Sequence, residues 1–407
     1  MHMTGATTGS ALSGLKIIDL SRVLAGPFCT QILGDHGAEV IKVEPPQGDD
    51  TRSWGPPFRD GLSAYFTGVN RNKEALCLDL GRPEGRDVLL RLLEDADALV
   101  ENFKSGTMEK WGLGYEKVLK ERFPKLIHCQ ITGYGNDGPY GGFPGYDGLG
   151  QALGGVMSLN GEKGGDPLRV GVPVVDLATG LYCTNALLMG VIERQRSGRG
   201  QFMELTLIDT AVTLLVPQAF NWFMSGAAPR RLGNAHPNIA PYDSFQTRNG
   251  RIYIAAANDG QFRKLCEVLG APHLLEDDRF TENPNRVVNV DALTGELEVL
   301  LADHDGLALS ETLMRAGVPS SAVLELPDVM AHPHVRHREM VVEQDGYASV
   351  GIPIKMSRTP GAIRRLPPQL GADSRAVLVH AGYGETEIDA LIASGVVTGP
   401  DGDAADG

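Results

Sequence analysis

The chain reads as an α/β protein, a doubly wound and mostly parallel sheet joined to a second, smaller α+β domain. Three observations predict this. Apolar runs of strand length alternate with helix-length segments from Leu15 to Ile131. The composition shifts after about Met224, where residues 225–250 are rich in Pro, Asn, Gly and Arg. An Asn249-Gly250 pair then sits between two strand-like runs, a strong short-range hairpin signal.

Residues 15–20 are apolar enough for a first strand. A helix over 27–37 follows, with Pro27 suited to its first turn and Gly37 to its stop. Residues 39–44 form the second strand, completing a βαβ unit that implies a parallel pair with a right-handed crossover. The pattern repeats in a strand at 76–80, a helix over 83–96 and a strand at 98–101, and a further strand follows at 126–131. This alternation is the mark of doubly wound architecture. The hairpin strands are 242–246 and 252–256, followed by helical segments near 260–270, 291–302 and 307–316. Residues 348–354 are strand-like and 385–393 helical. The expected organisation is a flexible tail at 1–13, a large domain over 14–224, a small one over 225–330, a return to the large domain over 331–398, and a second tail at 399–407. No internal repeat is visible.

At 407 residues, 42% hydrophobic and 22% charged, the chain has ordinary globular composition. Its net charge of −14 argues against a general nucleic-acid or anionic-membrane surface. Five cysteines form no CxxC pair and no Cys/His metal spacing, so buried thiols in a reducing cytoplasm are expected. No apolar run reaches the roughly 18 residues of a membrane span. The first ten residues lack the pattern of a secretory signal. His332, His334 and His337 cluster without the carboxylates or cysteines of a metal site.

Several segments fall where such folds do chemistry. Arg22 to Phe28 lies where a strand yields to a helix, and ligands of open α/β sheets bind at the carboxyl ends of strands. Asn70-Arg71-Asn72-Lys73 and Glu101-Asn102-Phe103-Lys104 also flank strand ends, with Lys110 just beyond, and could form a local anion pocket on an acidic protein. Gly148 to Gly155 lacks the preceding strand of a dinucleotide loop, so its glycines are expected to permit tight packing or backbone approach. Asp176 stands between a short apolar run and a long apolar helix. It is either a helix cap or a partly desolvated carboxylate available as a nucleophile.

Taken in order, these segments resemble family III CoA-transferases, the CaiB/BaiF family. The likeness runs through residues 14–27, 33–44, 70–73, 100–103, 145–147, 173–180 and 196–201. It implies a Rossmann-like large domain built from both chain ends plus a smaller α+β domain, in an interlocked, obligate homodimer. It also implies transfer of CoA between a thioester and a carboxylic acid, with Asp176 as nucleophile and Tyr146 beside it. Coenzyme A thioester would be a substrate, with no prosthetic group, no metal, no nucleic acid and no membrane. By the same resemblance Val23, Leu24, Leu78, Asn102 and Lys110 belong to the CoA site. Pro45 departs from an adenine-stacking arginine, and Arg52 is one candidate to compensate. Asn258 and Gly260 match a mobile loop over the active site. Residues 49–58 and 233–242 look most like succinyl-CoA:glutarate and related dicarboxylate transferases. A dicarboxylate leaves one carboxylate to be paired, for which Arg52 and Arg71 are candidates.

Two other functions are open at this point. An α-methylacyl-CoA racemase of the same family would carry His where Tyr146 stands, because racemisation needs a proton donor and acceptor on opposite faces. A catalytically silent CoA-binding protein would not need Asp176, Tyr146 and Asn102 together.

Overall fold

A computed structural model describes residues 9–344 and 346–399. The chain divides into two compact units. The first comprises the described residues up to Val156, then Val170–Val216 and the residues from Glu339 on; the second comprises Met157–Arg169 and Pro217–Arg338.

Six parallel strands form the centre of the first unit: β1 (Lys16–Asp19), β2 (Glu39–Glu44), β3 (Glu74–Leu78), β4 (Ala98–Glu101), β5 (Ile127–Thr132) and β6 (Phe202–Thr206). Their order is β3-β2-β1-β4-β5-β6, and Val397–Thr398 adds an antiparallel edge beyond β3. The order reverses at β1, which opens a crevice between the carboxyl ends of β1 and β4. Period-two alternation sends neighbouring strand residues to opposite faces. Ile18, Ile41, Leu76 and Leu99 pack with Val88, Leu89 and Leu92 of helix α1 (Pro83–Leu92) and with Val377, Leu378 and Ile388. Ile17, Val40, Ala98 and Val100 pack on the other face, with Cys29 and Leu33 of the helix Ala25–Asp35 and with Cys183 and Leu187 of the helix Val174–Ser197. Both ends of the chain therefore complete one sheet.

The second unit holds a three-stranded antiparallel sheet, Tyr242–Thr247, Gly250–Ala255 and Ser320–Ala322, covered by helices Asp259–Val268, Val290–Leu301 and Gly306–Ala316. In the hairpin Thr247 pairs with Gly250, so the turn residues are Arg248 and Asn249, one position before the pair that signalled it.

Three expectations need adjustment. Residues 9–13 are not a loose tail: Leu12 donates its N–H to His36 O at 3.0 Å and packs on the core. Residues 1–8 and 400–407 lie outside the described residues. Met157–Arg169, placed in the large domain by sequence, belongs to the second unit, where Arg231 donates to Gly165 O and Ser158 O. The strand-like run at 348–354 is the strand Tyr347–Val350, which pairs with Val341–Gln344 and not with the main sheet.

Against the expectation that no apolar run reaches the length of a membrane span, the helix Val174–Ser197 is long and apolar enough to cross a membrane by length and composition. It packs on the sheet through Cys183 and Leu187, and Gly180 lets it approach the helix Ala25–Asp35 closely: a Cβ there would lie 2.7 Å from Ala25 O. Its other side exposes Leu181, Tyr182, Met189 and Ile192.

Candidate active site

Asp176 sits in the first turn of Val174–Ser197 and is 8% exposed. It does not cap that helix. Asp147, at the start of the helix Asp147–Leu153, accepts from Val175 N at 2.9 Å and from Asp176 N at 3.3 Å. The approach is made possible by glycines: a Cβ on Gly150 would be 3.1 Å from Val175 Cγ1, and one on Gly133 only 2.6 Å from Gly145 Cα. With the capping done by Asp147, the Asp176 carboxylate receives no hydrogen bond from any described residue. Burial first, and the neighbouring Asp147 charge second, push its pKa up to about 7. Near neutrality it is a poorly solvated carboxylate facing a cavity of about 240 Å³. Tyr146, 56% exposed, lines the same cavity.

The same cavity is lined by the turn Arg22–Ala25 between β1 and the helix Ala25–Asp35. Val23 has φ +70°, a conformation that a β-branched residue rarely adopts and that costs on the order of 1–3 kcal/mol. The turn is pinned from several sides. Asn102, just past β4, accepts from Arg22 N at 2.9 Å and donates to Arg22 O at 2.7 Å. Asp49 accepts from Val23 N at 3.3 Å on each oxygen. Lys42 donates to Ser21 O at 2.9 Å, and Lys73 to Pro27 O at 2.9 Å. No side chain caps the helix that follows, and no acidic residue occupies its first turn. Pro27 has no N–H and Phe28 N donates to Leu24 O, so the N–H groups of Ala25 and Gly26 are the ones that can meet a ligand there.

A second cavity, about 380 Å³, lies over the ends of β1, β2 and β3. Leu20, Val43, Pro45, Leu78 and Trp111 line it, and it shares Arg22, Phe103 and Lys104 with the first. The structure thus brings Val23, Leu24, Asn102, Tyr146 and Asp176 to one cavity, and Leu78 and Pro45 to its neighbour. Lys110 lines neither. It is exposed on the short helix Thr107–Lys110, between Thr107 and Trp111, which do line the second cavity.

Other candidates are placed elsewhere. Arg52 holds Glu44 through Nε at 2.7 Å and Nη2 at 2.6 Å, donates to Pro368 O, and lies 3.7 Å over the Phe66 ring. Arg71, 4% exposed, holds Asp35 through Nε at 2.9 Å and Nη2 at 2.7 Å and donates to Ser349 Oγ and Val350 O. Both guanidinium groups are spent on internal carboxylates, and neither lines the Asp176 cavity. Lys73 likewise pairs with Asp19 at 3.0 Å, so residues 70–73 stitch the interior and make no anion pocket. Asn258 and Gly260 lie in the second unit and start the helix Asp259–Val268. Asn258 Oδ1 caps that helix by accepting from Gln261 N, and Gln261 Oε1 accepts from Ala257 N. The sequence reading gave no role to Asp147 or Asp49, and offered Lys104 only as part of a basic cluster. Asp147 adjoins Tyr146 in the motif, so it had a signal. Asp49 had none beyond its place in a matched loop. Among the described residues no cluster of His, Cys, Asp and Glu is placed to hold a metal ion.

The family model for CoA-transferase family III matches residues 12–374. The chain is 42% identical to a succinate–glutarate CoA-transferase of Agrobacterium fabrum, over 91% of this chain and 95% of that one. It is 39% identical to the succinyl-CoA:glutarate CoA-transferase of Mus musculus, over 95% of this chain and 90% of the relative. The crystal structure of a CaiB/BaiF family protein from Brucella suis superposes with a TM-score of 0.83 at 42% identity, covering 92% of this chain and all of that one. A desolvated aspartate at the switch point of a doubly wound sheet, set in a sequence that matches the family model almost end to end, makes this chain a member of CoA-transferase family III.

Proposed function

We propose that the chain moves CoA from succinyl-CoA to a short dicarboxylic acid, with Asp176 carrying the acyl group and then CoA. The observation behind this is the Asp176 carboxylate, stripped of hydrogen-bond donors and facing the cavity. A carboxylate oxygen attacks the thioester carbonyl and expels CoA thiolate, leaving a mixed anhydride. The thiolate attacks the aspartyl carbonyl, releases the first acid and leaves an aspartyl-CoA thioester. The acceptor carboxylate then displaces thiolate to form a second anhydride. Thiolate attack on the acceptor's acyl carbon gives the new acyl-CoA and restores Asp176. Each tetrahedral intermediate needs N–H donors, and the uncapped start of Ala25–Asp35 on the cavity wall can supply them.

The nucleotide end of CoA fits the second cavity, where Leu78, Pro45 and Trp111 offer an apolar slot and Lys110 stands at the rim. Val23, Leu24 and Asn102 then flank the thioester end. The acceptor's distal carboxylate needs a cation or several N–H donors. With Arg52 and Arg71 committed elsewhere, Arg22 and Lys104 are the cations that line the Asp176 cavity. Glutarate as acceptor rests on the named activity of the two relatives. We further propose a cytoplasmic, interlocked homodimer with a Rossmann-like CoA domain. The five buried free cysteines support the compartment, and the exposed apolar side of Val174–Ser197 supports association.

One experiment tests the reading. The enzyme is incubated with succinyl-CoA, quenched with hydroxylamine or borohydride, and digested for mass spectrometry, while acceptors are screened by their CoA products. Modification at Asp176, together with acceptor-dependent exchange, is expected. Cα proton exchange without an acceptor requirement would mean a racemase, and neither signal would mean a silent CoA-binding protein.

A further inference from the structure

Among the described residues that line the Asp176 cavity, Val23 alone carries a side chain at positive φ, and what holds it lies outside the cavity. Its N–H is shared between the two oxygens of Asp49 at 3.3 Å each. Asp49 is 1% exposed and does not line the cavity. It is itself gripped by Lys42 at 3.0 Å and by Thr51 through N at 3.0 Å and Oγ1 at 2.7 Å. Its own N–H is held by Glu44 Oε2 at 2.9 Å, and Glu44 is the carboxylate that Arg52 clamps. A line of bonds therefore runs from Arg52 through Glu44 and Asp49 to Val23. A β-branched residue left to itself returns to the extended region. Such a return would carry Leu24 and Ala25, both on the cavity wall, away from their present places.

We propose that Asp49 is a positioning residue for CoA transfer, holding the Arg22–Ala25 turn against Asp176 through the Val23 N–H. The inference rests on Asp176 being the reacting group. Asp49 touches no substrate. It keeps the uncapped start of Ala25–Asp35 aimed into the cavity during each acyl step, where a small displacement is costly in rate.

The test is a double-mutant cycle with Asp49→Asn and Val23→Gly, assayed for kcat and for KM of succinyl-CoA, with thermal unfolding and CoA binding measured alongside. Asp49→Asn alone should lower kcat roughly 10- to 100-fold, the loss expected of slight misplacement, while CoA binding changes little. Glycine adopts positive φ without cost, so in the Val23→Gly background the same Asp49 substitution should lower kcat far less. If Asp49→Asn fails to fold, Glu44→Gln acts one bond further back and should show the same loss, relieved in the same way. A purely structural Asp49 would give equal losses in both backgrounds, and that result overturns the proposal. So does unchanged kcat in Asp49→Asn while Asp176→Asn is inactive. An active Asp176→Asn enzyme would instead remove the underlying mechanism, so the two failures are distinct.

Discussion

Asp176 and Asp49 are both buried aspartates at the same end of the same sheet, and they titrate in opposite directions. Burial drives both carboxyls upward. At Asp49, Lys42 and the Thr51 N–H and hydroxyl more than offset it, and the pKa falls to about 2. At Asp176 no described group donates, a second carboxylate stands nearby, and the pKa rises to about 7. Asp19, with Lys73, Lys42, Ser21 and Thr30 around it, goes the way of Asp49. The difference lies in the supply of partners and not in depth. One set of carboxylates is finished, with every lone pair assigned, and serves the architecture. The other is left incomplete, and incompleteness is what a nucleophile requires.

Removing the incomplete carboxylate breaks the comparison most severely. Asp176→Ala should cut kcat by at least roughly 10³-fold, read by acyl-CoA exchange, while far-UV circular dichroism stays unchanged. Next in size is the finished set. Lys42→Met strands the Asp49 charge in a fully buried position, and loss of one partner of a buried pair costs about 3–5 kcal/mol, measurable by urea unfolding near pH 7.

The pH dependence separates the two sites by sign. A carboxyl lowered on folding, as at Asp49, gives stability that is complete above the ordinary value of 3.8 and is lost as pH falls toward about 2. A carboxyl raised on folding, as at Asp176, costs nothing below 3.8, costs increasingly as pH climbs, and carries its full penalty above about 7. Asp176→Asn should therefore raise the melting temperature at pH 8 and leave it unchanged near pH 3.5. The gain at pH 8 has a ceiling of roughly 4 kcal/mol, at about 1.4 kcal/mol per tenfold. The wild-type kcat/KM should show an acid limb close to pH 7. A smaller effect sharpens the cause. Asp147→Asn keeps an acceptor for Val175 N but removes the neighbouring charge, and the acid limb should move down by up to about one pH unit, some 1.4 kcal/mol. The smallest effect concerns Arg52. Because its donors are spent on Glu44 and Pro368 O, Arg52→Met should leave the ratio of dicarboxylate to monocarboxylate KM unchanged, whatever it does to stability.

The sequence disclosed the sheet because period-two alternation and helix length are local signals, and Ile17/Ile18 and Val40/Ile41 each announce two buried faces. It disclosed Asp176 because a short motif carries it. It could not disclose what Asp176 lacks. Whether Asp176 caps its own helix depends on Asp147, far back in the chain, arriving at Val175 N across the Gly150 contact. The same blindness explains Arg52 and Arg71. A guanidinium in a polar loop looks available until its carboxylate, at Glu44 or Asp35, is found in space. Lys104 was legible as one of the basic residues beside a strand end, and it lines the cavity together with Asn102.

The edge strand Val397–Thr398 has a consequence for how the protein is made. It pairs with β3, and Val377, Leu378 and Ile388 fill the core on that side. The first unit thus remains unfinished during synthesis until residues near 398 emerge, with β3 an open edge and Ile41, Leu76 and Leu99 short of their cover. The second unit has almost all of its chain, through Arg338, well before that point. Nascent chains would hold a folded insertion beside a waiting sheet, and chaperone dependence should concentrate in that interval.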